Sequence, residues 1–138
     1  GAPIPERIYL VHNTLVGNGY GITGGHNLVA VNNIIAHSTH VALKNIGGDS
    51  VVAHTLLWGN GTDAENANVV EERTVRADPR LDAAGRLLAG SPAIDAGTVT
   101  FVWQGETVVN LPADSFHGAA PDLGALEHYL LPQRLHRD

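Results

Sequence analysis

The sequence predicts an all-β fold in which short parallel strands stack into a coil, and three observations predict it. A phrase recurs: I-Y-L-V-H-N-T-L at 8–15, L-V-A-V-N-N-I-I at 28–35 and S-V-V-A-H-T-L-L at 50–57. Its copies align Asn13, Asn33 and Thr55 (13 to 33 is 20 residues, 33 to 55 is 22), with Asn18, Ser38 and Asn60 five residues further on in each case. Inside each copy β-branched and leucine residues alternate with polar ones, the period of a strand, on a repeat too thin to bury its own apolar face. Finally, hydrophobic residues make up 43% of the chain but aromatics only 5%, so the interior must be aliphatic, as stacked coils require.

Residues 1–7, with Pro3 and Pro5, form an extended lead-in that cannot be a central strand. In the coils, strand alternation turns Ile8, Leu10 and Leu15 inward, then Leu28, Ala30 and Ile35, then Ser50, Val52 and Leu57. Each should lie about 4.8 Å above its equivalent in the previous rung. Asn13 and Asn33 stand at the bend, where asparagine tolerates left-handed backbone and can hydrogen-bond its equivalents above and below; Thr55 makes a poorer rung of that structural ladder. The glycine-rich run 17–25 supplies turns and a short strand around Ile22, matched one coil later by 41–43. It leads into no helical pattern and lacks the lysine of a phosphate loop. Asn60-Gly61 is a tight-turn signal and, with Thr62, a glycosylation sequon. Residues 63–76 read as a polar loop or irregular coil with Val69, Val70 and Val75 inward. Residues 78–97 read as turns around one or two short strands, 98–111 as a hairpin about Gln104-Gly105, 112–121 as loop and 129–138 as a tail.

At 138 residues the chain is one domain: coils over 8–70, a C-terminal capping region over 71–128 and the tail. It starts at Gly1 rather than Met, and is expected to be the C-terminal fragment of something longer. Eight Lys and Arg against 14 acids give a net charge of −6, which argues against nucleic acid or an anionic membrane as main partner. No apolar run is long enough to span a bilayer. Without cysteine there is neither a disulfide framework nor a thiolate metal site. Charge is also unevenly placed: over 8–60 the formally charged residues are Lys44 and Asp49, alongside five histidines.

The stretches L-L-W-G-N-G at 56–61, D-P at 78–79, S-P-A-I-D-A-G at 91–97 and D-L-G-A-L-E at 122–127 resemble the C-terminal part of right-handed parallel β-helix repeat proteins of the pectate-lyase-like group. They are most similar to secreted bacterial proteins with a choice-of-anchor domain. The resemblance covers roughly residues 8–128 and implies a right-handed, single-stranded parallel β-helix, here about three full coils plus an irregular C-terminal cap, in an extracellular or cell-surface protein. Such proteins normally carry many more coils before this point. The spacing Ile8, Leu10, Asn13, Leu15 also fits a leucine-rich repeat, but the half-turns after each Asn lack the helical pattern a horseshoe needs.

In the coil geometry His12, Asn32 and His54 point outward in one column, and with Trp58 they form the candidate carbohydrate-binding residues; the same stripe reads equally as solvated polar surface. Histidines two rungs apart lie roughly 9 to 10 Å from each other, too far to share a metal. His37 and His40 would need a third ligand, so no metal site is expected. Asp49, Ser50 and His54 resemble a hydrolytic triad on paper, but alternation turns Ser50 inward and His54 outward. Asp95, Asp122 and Glu127 read as structural cap carboxylates that accept backbone N–H bonds at the end of the coil. A calcium site joining them to Asp78 and Asp82 is the alternative; otherwise no cofactor is expected. No catalytic residue is assigned, since Lys44 and Asp49 are thin provision for a lyase or glycosidase. Two functions follow: part of a secreted polysaccharide-binding or polysaccharide-degrading protein whose catalytic coils lie mainly outside this chain, or a non-catalytic structural or adhesive surface module. The exposed rim of the first coil implies a partner, either an N-terminal companion fragment or an end-to-end copy.

Overall fold

In the computed structural model, which describes residues 7–128, the repeated phrases become rungs. In chain order the strands are β1 (Ile8–Val11), β2 (Thr14–Val16), β3 (Tyr20–Thr23), β4 (Leu28–Val31), β5 (Ile34–Ala36), β6 (Val41–Ala53), β7 (Leu56–Trp58), β8 (Thr62–Glu72), β9 (Thr100–Trp103) and β10 (Glu106–Asn110). Pairing among the first eight is parallel and keeps the phrase in register: Leu10 lies beside Ala30 and Ala30 beside Val52, and Leu15 beside Ile35 and Ile35 beside Leu57. The fold is therefore all-β, a parallel β-solenoid of about 3 turns.

The interior is the aliphatic stack that the alternation dictates. Leu28, Ala30, Ile35, Leu43, Val52 and Leu57 are buried in one cluster, with Leu10, Leu15 and Val69 packed against it. Each fully buried aliphatic side chain of this size contributes about 1.5 to 3 kcal/mol. Ser50 is inward too, and its hydroxyl accepts the Leu28 N–H at 3.0 Å, which satisfies a polar atom that burial would otherwise penalise.

The polar stretch after Asn60 is not a loop. It forms β8, which pairs with β6 from Val41 opposite Thr62 to Ala53 opposite Glu72, with an irregularity between Ile46 and Ser50. A preceding rung offers backbone partners whatever the new strand's side chains are, so pairing overrides composition. Ala67 and Val69 face the core, whereas Val70 is exposed and Val75 packs on the outside of the solenoid with Leu87 and Leu123. Residues 78–97 hold one isolated bridge, Leu81 to Leu87, rather than strands.

The left-handed corner also sits one residue earlier than expected. Positive φ occurs at His12, Asn32, His54 and Arg73, not at Asn13 and Asn33. This leaves the following residue extended, with its side chain turned into the stack. Asn33 Oδ1 accepts from the backbone N–H and the side-chain amide of Asn13 at 2.8 and 3.2 Å, and Asn33 Nδ2 donates to Leu10 O at 2.8 Å. Thr55 instead donates its hydroxyl to Ala53 O in its own coil. A second tie occurs at the next corner, where Asn60 Oδ1 accepts the Ser38 N–H and Asn60 Nδ2 donates to Ile35 O. The sequon asparagine is thus spent on the fold.

Among the described residues the C-terminal region packs against the outer faces of the coils. It runs along the sides. The hairpin β9–β10 lays Phe101 and Val109 on Val29, Val31, Val51 and Ala53, the outer face of β1, β4 and β6. Leu87, Ala93 and Leu123 cover Ile34, Ala36 and Leu56, the outer face of β5 and β7. The tail at 129–138 lies outside the described residues.

Replacing Asn33 by alanine deletes three hydrogen bonds and leaves the partly buried Leu10 carbonyl without its side-chain donor. Chemical denaturation should show a loss of about 2 to 3 kcal/mol for Asn33→Ala and under about 1 kcal/mol for Asn13→Ala, whose side chain is half-exposed.

Candidate functional site

The left-handed corner makes His12, Asn32 and His54 a column, and Asn32 Nδ2 reaches His12 Nε2 at 3.2 Å. The column is not a free surface. Asn32 is 0% exposed because 97–98 and 124 close over it. Its Oδ1 accepts the Thr98 N–H at 2.9 Å, its Nδ2 donates to Thr98 O at 3.0 Å, and its carbonyl accepts the Gly124 N–H at 2.8 Å. A carbohydrate therefore finds no free atom on Asn32. The residue is the peg on which the C-terminal region hangs.

The glycines of the two C-terminal motifs belong to the same attachment. A Cβ at Gly97 would come within 2.8 Å of Pro121 O and 3.0 Å of Asn32 Oδ1. One at Gly124 would meet Thr14 Oγ1 at 2.5 Å and Ile34 Cδ1 at 2.8 Å. The carboxylates knit this segment together beside the coils rather than beneath them. Asp122, 1% exposed, accepts the Asp95 N–H at 2.8 Å through Oδ1 and the His128 N–H through Oδ2. Glu127 accepts the N–H of Asp122 at 2.6 Å and that of His117 at 3.1 Å. Asp82, raised as a calcium ligand, is engaged by the Arg86 and Ala84 N–H groups and by the Arg86 guanidinium, which hold its carboxyl below the usual carboxylate range. Among the described residues no group of three or more His, Asp or Glu side chains converges to hold a metal.

His54 lies edge-on to Phe101 of the hairpin, ring centroids 6.3 Å apart. Burial pushes its pKa below the ordinary histidine value, and nearby Arg73 pushes the same way; Glu72 and a backbone bond to Ala96 oppose. With Ser50 inward and His54 outward on either side of the rung, Asp49, Ser50 and His54 do not assemble as a triad. Trp58 stands elsewhere, half-exposed at the far end of the short sheet opposite Ala36. The four residues chosen as carbohydrate contacts do not share one face.

Among the described residues the face left open is the third one, formed by β3, the first half of β6 and the first half of β8. Thr23, Lys44 and Glu65 occupy one column of it. Tyr20 is 41% exposed, with the His40 ring centroid 5.3 Å from its own. Lys44 Nζ sits 5.1 Å from the Tyr20 ring centroid and 2.8 Å from Glu65 Oε1, so one side chain links three successive coils. The hydrogen-bonded Glu65 carboxylate raises the pKa of Lys44. At the adjoining corner Asn66 Nδ2 donates to Asn45 Oδ1 at 2.9 Å. The alignment of 20–22 with 41–43 already placed Tyr20 and its neighbours on one sheet; Glu65 and Asn66 were hidden because 63–76 read as a loop or irregular coil with no register to its neighbours.

Comparison of the chain with family models, with curated proteins and with solved structures finds no match. The solenoid architecture rests on the strand register alone. No helix among the described residues is long and apolar enough to cross a membrane.

Because the folded state favours neutral His54, the stability that it contributes is present in full above the unfolded pKa of about 6.5 and is lost as pH falls below it. Denaturation midpoints should fall between about pH 7.5 and 5.5 in the wild type, and His54→Gln should flatten that slope. An unchanged slope would remove His54 as its source.

Proposed function

We propose that this chain is a polysaccharide-binding β-solenoid module of a secreted, pectate-lyase-like protein, with any catalytic coils lying outside it. The observation that carries this reading is that, among the described residues, two lateral faces of the solenoid are clad by the C-terminal region, while the third is bare and presents Tyr20, His40, Lys44, Glu65, Asn45 and Asn66. A flat parallel face repeating about every 4.8 Å suits an extended chain of sugars: the aromatic ring offers an apolar platform, and the amides and the ion pair offer hydrogen bonds along it. Catalysis by this chain itself has less support. Lys44 is paired with Glu65, and Arg76 with Asp63 and Glu71, while Asp122 and Glu127 bond backbone, so these acids and bases are committed to the fold. The alternative of a structural or adhesive module draws on the same pairing, since a pre-formed ion pair must be broken before a ligand can use it.

Affinity electrophoresis through gels containing pectin, alginate or a glycosaminoglycan tests the reading. Retardation is expected in at least one gel, without release of reducing or unsaturated sugars, and Tyr20→Ala should weaken it roughly 3- to 10-fold. Lys44 is the single lysine of the chain, so its acylation by an amine-reactive ester, followed by mass spectrometry, reports directly on this face. The bound polysaccharide should slow that acylation. Binding that leaves Lys44 fully reactive would place the ligand elsewhere, and no retardation in any gel would favour the structural module.

A further inference from the structure

We infer that the open face takes an uncharged, hydroxyl-rich glycan and turns away an anionic one, with Glu65 setting that choice and Asn45 supplying a hydrogen-bond donor. The inference rests on the polysaccharide reading and names the class of chain that the face fits.

Strand register fixes the charge on this face. Tyr20, Val41 and Thr62 share one column, Ile22, Leu43 and Ala64 another, and Thr23, Lys44 and Glu65 a third. Lys44 is the one cation within 20–23, 41–44 and 62–65, against two acids, Asp63 and Glu65. Its ammonium already lies 2.8 Å from Glu65 Oε1. An anionic polysaccharide carries acid groups at regular intervals, so it would bring several of them to a face with a single cation, and that cation is matched. Even the first would have to share Lys44 with Glu65, whose side chain is 54% exposed. Like charges brought side by side reject the wrong partner, and the chain's net charge of −6 acts in the same direction at longer range.

What the face leaves uncommitted is neutral. Asn66 Nδ2 donates to Asn45 Oδ1 at 2.9 Å. Each amide commits one end in this way, and among the described residues Asn45 keeps its Nδ2 donors and Asn66 its Oδ1 acceptor, both on exposed side chains. In the first coil Gly24 follows Thr23 as Asn45 follows Lys44, and Gly24 N donates to Lys44 O at 2.8 Å. Among the described residues nothing lies within 4 Å of where a Cβ on Gly24 would stand. The amide ladder therefore stops one rung short, and at the open step a sugar hydroxyl can accept from Asn45 Nδ2. At the other end of the strands Tyr20 stands with its ring beside that of His40, an apolar platform for the C–H face of a sugar. Ring and amide corner are four residues apart along the strand, about 13 Å at about 3.3 Å per residue, so consecutive sugar units can touch both.

Pectin and alginate, each offered as the free carboxylate and as its neutral ester, hold the backbone constant while the charge changes. Affinity electrophoresis of the full chain reads the preference. The wild type should bind the ester of at least one polymer at least about fivefold more tightly than the acid form. Glu65→Gln frees Lys44 and should raise affinity for the acid form roughly 5- to 10-fold, which erases the preference. Asp114→Asn makes the same change in net charge outside the face and should leave the preference where it was. Asn45→Ala should weaken binding of the ester about 3- to 10-fold. Far-UV circular dichroism should stay native in all three, since each of these side chains is exposed. In the unmodified sequence, acylation of Lys44 should be slowed more by the ester than by the acid form, which tests the choice without any substitution. Equal or stronger retardation by the acid forms overturns the inference and leaves the polysaccharide reading in place. So does a preference that Glu65→Gln and Asn45→Ala both leave unmoved. No retardation by any form removes that reading and this inference together.

Discussion

Everything in this molecule follows from the vertical register of parallel rungs. A parallel ladder places each residue directly over its equivalent, so any property a position needs in one coil it needs in the next. Inward columns must be aliphatic throughout, as Leu15, Ile35 and Leu57 are. Corner columns must tolerate left-handed backbone, and the chain meets that need with His12, Asn32, His54 and Arg73 rather than with glycine. Residues outside glycine pay a strain cost there, and asparagine and histidine are among those that bear it best. The histidines that dot the neutral rungs are thus explained in part by geometry before any chemistry is considered.

Register also explains where the charge went. A like charge repeated in the same column of successive rungs would repel its neighbour, so stacked coils favour neutral columns or alternating partners. The open face takes the second course, with Lys44 directly against Glu65 and Thr23 in the remaining place. The C-terminal segment holds many of the remaining charges and uses them for its own turns, as with Asp82 and Arg86, or against backbone, as with Asp122. Its apolar residues serve as cladding. The hairpin and the motif around Leu123 hide outward-facing valines, isoleucine and leucine that a bare solenoid would expose to water.

Asn32 is the junction between these two systems. Its backbone makes the left-handed corner, and its side chain and carbonyl together bind Thr98 and Gly124. A buried amide with every group satisfied gives the strap a single docking position, which loose apolar contact alone would not specify.

By itself, the sequence determined the rungs. Period-2 alternation and the recurrence of Asn13, Asn33 and Thr55 were enough to assign the strands and the stack of the three copies, and local turn chemistry the hairpin at Gln104-Gly105, because these depend on local pattern and on identical neighbours; Val70 and Val75, beyond the copies, were turned inward wrongly. It read Asp122 and Glu127 as acceptors of backbone N–H bonds, which they are, but not the outer faces on which their segment packs, since a turn-rich segment has no period from which its resting place can be read. It left 63–76 as a loop or an irregular coil, because the backbone partners that make β8 a strand lie a full coil away in β6. Only the tertiary structure decided which faces are clad and which is bare, and with that it moved the candidate site from His12, Asn32 and His54 to the face of Tyr20, Lys44 and Glu65. The reason is physical: whether an outward residue meets water or another segment depends on long-range packing, and no spacing within a rung encodes it.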